Sequence, residues 1–397
     1  MTCLAKARIF LFLVLFLFLL TSCAKPPVAF KPRPEKYPQE LIYPETSMVV
    51  EINRQKISPL DPTLFLLPEE SIVVQTQRVS PHVLSCRIAP SLLEDHSSQS
   101  FSHHQVWFKD PQTAHDQIRQ CLKAESWSVV LNGQPLPVKG NNLFSGKAPK
   151  DPGLYTLEID CRQSWRKAAA SRDLREEWEE KTRQSFLIIV LHPFSRLKDG
   201  FIDQFPVGFY SNPEEAPKNA ILKTNLTNYF PPKGFVEVTP ENQGVLVSQH
   251  YRFQDFTCHL FAPYPHYMAL SPALLLKLEL LTLKLKQLGI SEPRLTILSG
   301  FRTPWYNQTV SGALWSRHIY GDAADIILDI SPQDGLMDDL NHDGRIDFQD
   351  AMVLARLIEE IEEETGLLGG LGVYDRGKNE KDSPYIHMDA RGFKARW

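Results

Sequence analysis

Leu274, Leu278, Leu281 and Leu285 fall on one helical face between Ser271 and Gly289. Apolar residues three and four apart predict a core helix there. Ser271 offers an N-terminal cap, Pro272 suits the first turn, and Gly289 suits a left-handed stop. A strand is predicted at Arg294–Ser299, ending in Gly300, and another from Ala324 to Ile330. A second helix is predicted from Ala351 to about Glu364. The phrase Tyr385-Ile386-His387-Met388-Asp389 reads as a short strand.

Upstream the period changes. Ser71–Thr76, Trp127–Leu131, Leu154–Ile159 and Phe186–Leu191 are short strand-like runs, with turn signals such as Asn132-Gly133 and Asp151-Pro152-Gly153 between them. They predict a β-rich domain over residues 46–195. Its phrase from Asp151 to Ile159 resembles the late hairpin of an immunoglobulin-like sandwich. Ser164–Arg183 is rich in Ala, Arg, Glu and Lys and reads as a charged helical insertion. Residues 196–250 carry Pro206, Pro213, Pro217, Pro231, Pro232 and Pro240 and read as a connector. Residues 251–397 read as a separate domain, so the expected class is α+β, with a β-rich region first.

The opening residues set the compartment. Lys6 and Arg8 precede an apolar run from Ile9 to Leu20, the layout of a secretory signal over residues 1–22. Leu20-Thr21-Ser22-Cys23 resembles a bacterial lipoprotein box, which implies lipidation of Cys23. Ala24 follows the cysteine, which resembles outer-membrane sorting in a Gram-negative host, facing the periplasm. Residues 23–45 hold Pro26, Pro27, Pro32, Pro34 and Pro38 and read as a tether. Some 20 residues of polyproline-like chain reach roughly 60 Å. The 397 residues are 43% hydrophobic and 23% charged with net charge −4, ordinary values for a globular protein. No basic excess points to nucleic acid. Of six cysteines, Cys3 leaves with the signal and Cys23 is the lipid site. Cys86, Cys121, Cys161 and Cys258 remain, and an oxidising compartment favours two disulfides in one of three pairings.

The chemistry concentrates near the end of the chain. Ser316-x-His318-x-x-Gly321-x-Ala323-x-Asp325 supplies an imidazole and a carboxylate, donors that suit zinc. Small residues at 321 and 323 let the loop double back, so this seven-apart pair can reach one ion. His387 offers a third ligand.

Three phrases in order resemble the zinc D-Ala-D-Ala carboxypeptidase family, which includes peptidoglycan D,D-endopeptidases and resembles the hedgehog signalling domain. They are Ser299–Asn307, with Phe301 where the family has tyrosine, Ser316–Asp325, and Gly369–Tyr374 followed by Tyr385–Asp389. The likeness covers about residues 250–397. It implies a zinc peptidase domain with the ion on His318, Asp325 and His387. It further implies that Arg302 steadies the oxyanion or a substrate carboxylate, and that Ser316 bonds substrate or orients His318. Many relatives place a carboxylate three residues before the last histidine, or a histidine two before it. Pro384 and Tyr385 stand there in this chain. Asp389 is the nearest acidic candidate for the base and equally a group that orients His387, and Glu380 and Asp382 are alternatives.

Between the zinc phrases, Asp339, Asn341, Asp343, Asp347 and Asp350 fall at positions 1, 3, 5, 9 and 12 of a loop with Gly344 at position 6. Arg345 would give its carbonyl. The spacing resembles a dockerin-type calcium loop over 339–350, with structural Ca²⁺ as the expected ligand. The expected protein is therefore a lipid-anchored envelope peptidase with Zn²⁺ and Ca²⁺, acting on peptidoglycan. Its rivals are a non-catalytic wall-binding or signalling module on the same fold, and an adhesin or envelope scaffold in which the β-rich region does the work.

Overall fold

The computed structural model describes residues 48–53, 55–56, 63–78, 122–140, 142–166, 177–215, 224–375 and 383–397. The signal, the tether, Cys23, Cys86, Cys121, Glu380 and Asp382 lie outside the described residues.

The first half is a pair of five-stranded sheets. Its main strands are β1 (Met48–Ile52), β2 (Thr63–Leu66), β3 (Ser71–Arg78), β4 (Leu122–Leu131), β5 (Leu143–Lys147), β6 (Gly153–Arg166) and β7 (Glu177–Val190). One sheet orders Gln55–Lys56, β1, β3, β5 and Val138–Gly140. The other orders β2, β7, β6, β4 and Gln134–Pro135. Strands β2 and β7 run parallel. Side chains alternate between the faces of a strand. Ile72 and Val74 from one sheet therefore meet Leu157, Ile159 and Ile188 from the other in one dry core.

The expected helical insertion at 164–183 is contradicted at both ends, while residues 167–176 lie outside the described residues. Its described parts, 164–166 and 177–183, extend β6 and β7, with Trp165 opposite Trp178 and Ser164 opposite Glu179. Helix propensity is a weak prior, and here the cross-strand ladder overrides it. Arg183 bonds Asp160 across the pair at 2.8 Å. The expected pair of disulfides also needs correcting, because Cys258 is a buried free thiol. It packs beside Thr303 inside the second half, where burial pushes its pKa up.

After β7, strands β8 (Gly234–Val238) and β9 (His266–Met268) pair antiparallel. The second half is built on a sheet of β10 (Leu295–Ser299), β11 (Ala323–Leu328), β12 (Gly370–Tyr374), β13 (Tyr385–Asp389) and β14 (Ala395–Arg396), in the order β10-β11-β13-β12-β14. Neighbours are antiparallel except β12 and β14. Three helices matter here: α1 (Pro272–Gln287), α2 (Pro304–Thr309) and α3 (Phe348–Thr365). Leu274, Leu278, Leu281 and Leu285 on α1 are fully buried. The Ser271 side chain makes no capping bond. Its carbonyl instead accepts from the backbone of Leu274 and Leu275. Helix α3 starts earlier than the apolar pattern suggests because Asp347 and Asp350 form a reciprocal cap. Lys277 of α1 and Glu362 of α3 form a fully buried ion pair at 2.7 Å. Lys277 also donates to the Asp389 carbonyl at 3.0 Å, which ties both helices to the end of β13.

Candidate metal centre

The sheet's hydrogen-bonding register brings the candidate ligands together. Asp325 on β11 lies directly opposite His387 on β13, and His387 lies opposite Gly372 on β12. His318 arrives from a 3-10 turn, Arg317–Tyr320. That turn ends on Gly321 at φ 71°, where an added Cβ would lie 2.2 Å from the Ala269 carbonyl oxygen. Only glycine fits both demands. Arg317 clamps the turn from below. It makes two bonds to Asp322, at 3.0 and 2.6 Å, and one to the Asn228 carbonyl at 2.7 Å, all buried.

His318 Nε2, Asp325 Oδ1 and His387 Nδ1 converge. Their separations are 3.2 Å between the imidazoles, and 3.2 and 2.9 Å from each to the carboxylate. The remaining ring nitrogens fix the tautomers. His318 Nδ1 lies 2.7 Å from the Gly300 carbonyl, which can only accept, so this nitrogen carries the proton. His387 Nε2 donates to Asp389 at 3.3 Å. Three lone-pair atoms therefore face one another with no proton supplied among them, which is a site for a cation. Donors about 2.05 Å from a tetrahedral zinc would sit roughly 3.3 Å apart, close to the triangle seen. Among the described residues, these three form the one histidine, cysteine or carboxylate group whose ligand atoms gather this closely.

Electrostatics agree with the geometry. Burial alone would lower the His387 pKa, but its bonds to Asp325 and Asp389 hold it up at about 9. Burial would raise the Asp325 carboxyl, yet the two imidazoles hold it well below the usual carboxylate range. His318 is pushed down, first by burial. The pocket thus demands one positive charge, as a proton on His387 or as a metal ion.

Arg302, between β10 and α2, donates from Nη2 to Asp325 Oδ2 at 2.6 Å and from Nε to the Ser299 hydroxyl at 2.8 Å. It holds the second oxygen of a candidate ligand. Ser316 stands at the start of the His318 turn and makes no capping bond with its side chain. Asp389 is fully buried. Its oxygens accept from the Gly370 backbone at 2.7 Å, from the Arg391 backbone at 3.0 Å, and from the Arg391 guanidinium and His387. Arg391 is absent from the sequence reading. Its position two residues beyond Asp389, across a chain turn, was the available signal.

The loop over 339–350 is closed by its own polar groups. Asp339 accepts from the backbones of Asp343 and Gly344, and Asn341 accepts from Asp343. Asp343 accepts from Arg345, and Asp347 from Gln349. Asp350 is fully buried and accepts from the backbones of Leu340, Asn341 and Asp347. The last carboxylate therefore serves loop and helix together.

The mixed α/β domain thus carries a buried His-Asp-His group, two members on adjacent strands and one on a turn, whose donor set suits a metal ion. Residues 267–344 match the sequence profile of the family described as Peptidase M15, so this stretch of the C-terminal half is similar to an M15 peptidase domain. That match takes in His318 and Asp325, and M15 peptidases are typically zinc-dependent. No curated protein and no solved structure matches the chain.

Proposed function

We propose that the C-terminal domain is a zinc peptidase that hydrolyses bonds to D-amino acids in the stems or crosslinks of peptidoglycan. The observation that carries this reading is the convergence of His318 Nε2, Asp325 Oδ1 and His387 Nδ1 on one point as three potential ligand atoms. When bound, zinc supplies Lewis acidity, polarising a carbonyl and acidifying water. The chain's residues do the rest. His318 and His387 are held in ligating tautomers by Gly300 and Asp389. Arg302 orients Asp325 and leaves guanidinium donors for an oxyanion or a substrate carboxylate. The Ser316 hydroxyl bonds substrate or orients His318. Asp389 acts as a positioning residue, since both of its oxygens are committed.

Digestion of purified peptidoglycan with and without zinc, followed by fragment analysis, tests the reading. Loss of terminal D-Ala or of crosslinks is expected only with zinc. A non-catalytic wall-binding module is the second reading, favoured by Pro384 and Tyr385 at the positions where relatives carry a base. Binding to intact wall without any released fragment decides for it.

The same proposal sets the protein in a bacterial envelope, anchored through lipidated Cys23 and held off the membrane by residues 23–45. Globomycin should block maturation, and Cys23→Ser should misprocess or release the protein. Normal membrane retention of that variant overturns the anchor. Structural Ca²⁺ on Asp339, Asn341, Asp343, Arg345, Asp347 and Asp350 is part of the proposal, supported by the oxygen spacing. Calcium should raise the Tm, and Asp343→Ala should remove the increment; an unchanged Tm overturns it. The immunoglobulin-like reading of the first half is supported by its two packed sheets.

A further inference from the structure

Asp389 holds the His387 ring through a bond of 3.3 Å from Nε2 to Oδ2. That length lies just beyond the usual range for N–H···O bonds, so a small rotation of the carboxylate would lose it. The torsion that turns an aspartate carboxylate is intrinsically broad. The two backbone donors, Gly370 and Arg391, both reach Oδ1 and leave Oδ2 free to swing. The Arg391 side chain removes that freedom. Its Nε lies 2.9 Å from each carboxylate oxygen, and its Nη2 donates to Oδ2. A guanidinium that grips both oxygens sets the plane in which Oδ2 meets His387.

The surroundings are shaped to seat this pair. An added Cβ at Gly370 would lie 2.3 Å from Asp389 Oδ2 and 2.7 Å from Arg391 Nη2, so the missing side chain makes the room. The guanidinium carbon lies 5.3 Å from the centre of the Trp397 ring and 5.7 Å from that of Phe393, within cation–π range. The Trp397 indole is itself fixed. Its N–H donates to the Tyr374 hydroxyl at 2.6 Å, its backbone pairs with Leu371 and Val373, and its ring centre is 5.2 Å from that of His387. Strand β14, paired with β12, thus delivers the ring that holds the arginine. A largely buried ion pair is weak support for a chain turn, because desolvation offsets much of its attraction. What the pair adds is a fixed carboxylate plane beside a candidate ligand. Asp325 likewise has Arg302, so each carboxylate of the centre carries its own guanidinium.

We infer that Arg391 is a positioning residue of the metal centre, one that sets the plane of the Asp389 carboxylate and, through it, the ring of His387. The inference rests on the reading of His318, Asp325 and His387 as zinc ligands. Its test is metal binding by the full chain. Zinc affinity is measured by chelator competition, and ligand geometry by the visible absorption of the cobalt-loaded protein. Arg391→Met keeps the stem and loses the guanidinium. It should bind zinc about tenfold more weakly, the low end for an outer-shell change, with altered cobalt bands. Arg391→Lys keeps the charge and loses the fork, so it should stand between the two. It decides the question if the methionine variant misfolds. Ethylguanidinium added to Arg391→Ala should restore part of the affinity and of the cobalt bands, which a purely structural role would not allow. Wild type that binds no zinc overturns the metal-centre reading together with this inference. Wild type that binds zinc, with affinity and cobalt spectrum unchanged in the variants, overturns this inference alone. Full wild-type affinity in Arg391→Lys also overturns it, since charge without the fork would then suffice.

Discussion

Asp389→Asn separates positioning from proton transfer at the centre. The amide keeps the shape of the carboxylate. Its oxygen can still accept from the Gly370 and Arg391 backbones, now at 2.7 and 3.0 Å. Its NH₂ then faces two donors, His387 Nε2 and the Arg391 guanidinium. Donor meets donor, and His387 loses the acceptor that keeps its proton on Nε2. The proton is free to move to Nδ1, the ligating atom. Loss of such a supporting bond typically lowers metal affinity 10- to 100-fold. That corresponds to about 1.4 to 2.7 kcal/mol. Competition against a chromophoric chelator measures the affinity, and peptide hydrolysis is followed with and without excess zinc. Saturating zinc should restore kcat to within about threefold of wild type, because the variant's defect lies in holding the ion. Unchanged zinc affinity with kcat lowered a hundredfold would refute the reasoning and make Asp389 the base.

Four other outcomes follow from the geometry and electrostatics. At saturating zinc Arg302→Ala should cut turnover about 10²-fold, since a donor for the oxyanion is removed and no ligand is, and zinc affinity should fall less than in a ligand variant because only the bond to Asp325 Oδ2 is lost. Equal turnover in that variant takes Arg302 out of the site. Lys277→Met should destabilise by about 3 kcal/mol in urea unfolding, at the low end for a broken buried pair, because Glu362 keeps Arg396 and the Gly369 N–H. A neutral result would mean that the Lys277–Glu362 pair contributes nothing net. Zinc affinity should fall about tenfold per pH unit below pH 9, because His387, raised to about 9, must release a proton to the ion. A flat profile between pH 6 and 8 removes His387 Nδ1 as a ligand. In chelator-treated protein the sign reverses. The raised His387 pKa stabilises the fold fully below its ordinary 6.5, and that contribution disappears as pH rises through about 9.

How much of this was legible in the sequence depends on distance along the chain. The leucine spacing of α1 and the strand runs Leu154–Ile159 and Phe186–Leu191 are local, and they read directly. His318 and Asp325 lie seven apart, and small residues between them signalled the turn. The stretch 164–183 misled because composition speaks for helix, while the deciding fact is pairing of β6 with both β7 and β4. Lys277 and Glu362 are separated by 85 positions, so no local period links them. Cys258 looked like one of an even set. Its burial beside Thr303 depends on packing around the Ser299–Thr303 phrase, which spacing cannot convey. Trp397 was silent for the same reason: only the parallel pairing of β14 with β12 brings it to His387.

The seam between the halves bears on how the molecule can be dissected. Phe65, Ile189 and Leu191 from the sandwich belong to the same buried cluster as Phe235, Leu274 and Leu278. Strand β2 packs against α1, the Thr63 hydroxyl donates to the Val247 carbonyl at 2.5 Å, and Lys233 donates to the Phe65 carbonyl at 2.6 Å. A fragment starting at residue 251 would lose that cover and bare part of the core helix to water. The C-terminal half is therefore poorly portable. Grafted onto another anchor, it would need either the sandwich carried along or new polar residues on the flank of α1. Shuffling in evolution meets the same constraint, so the two halves are expected to travel as one cassette.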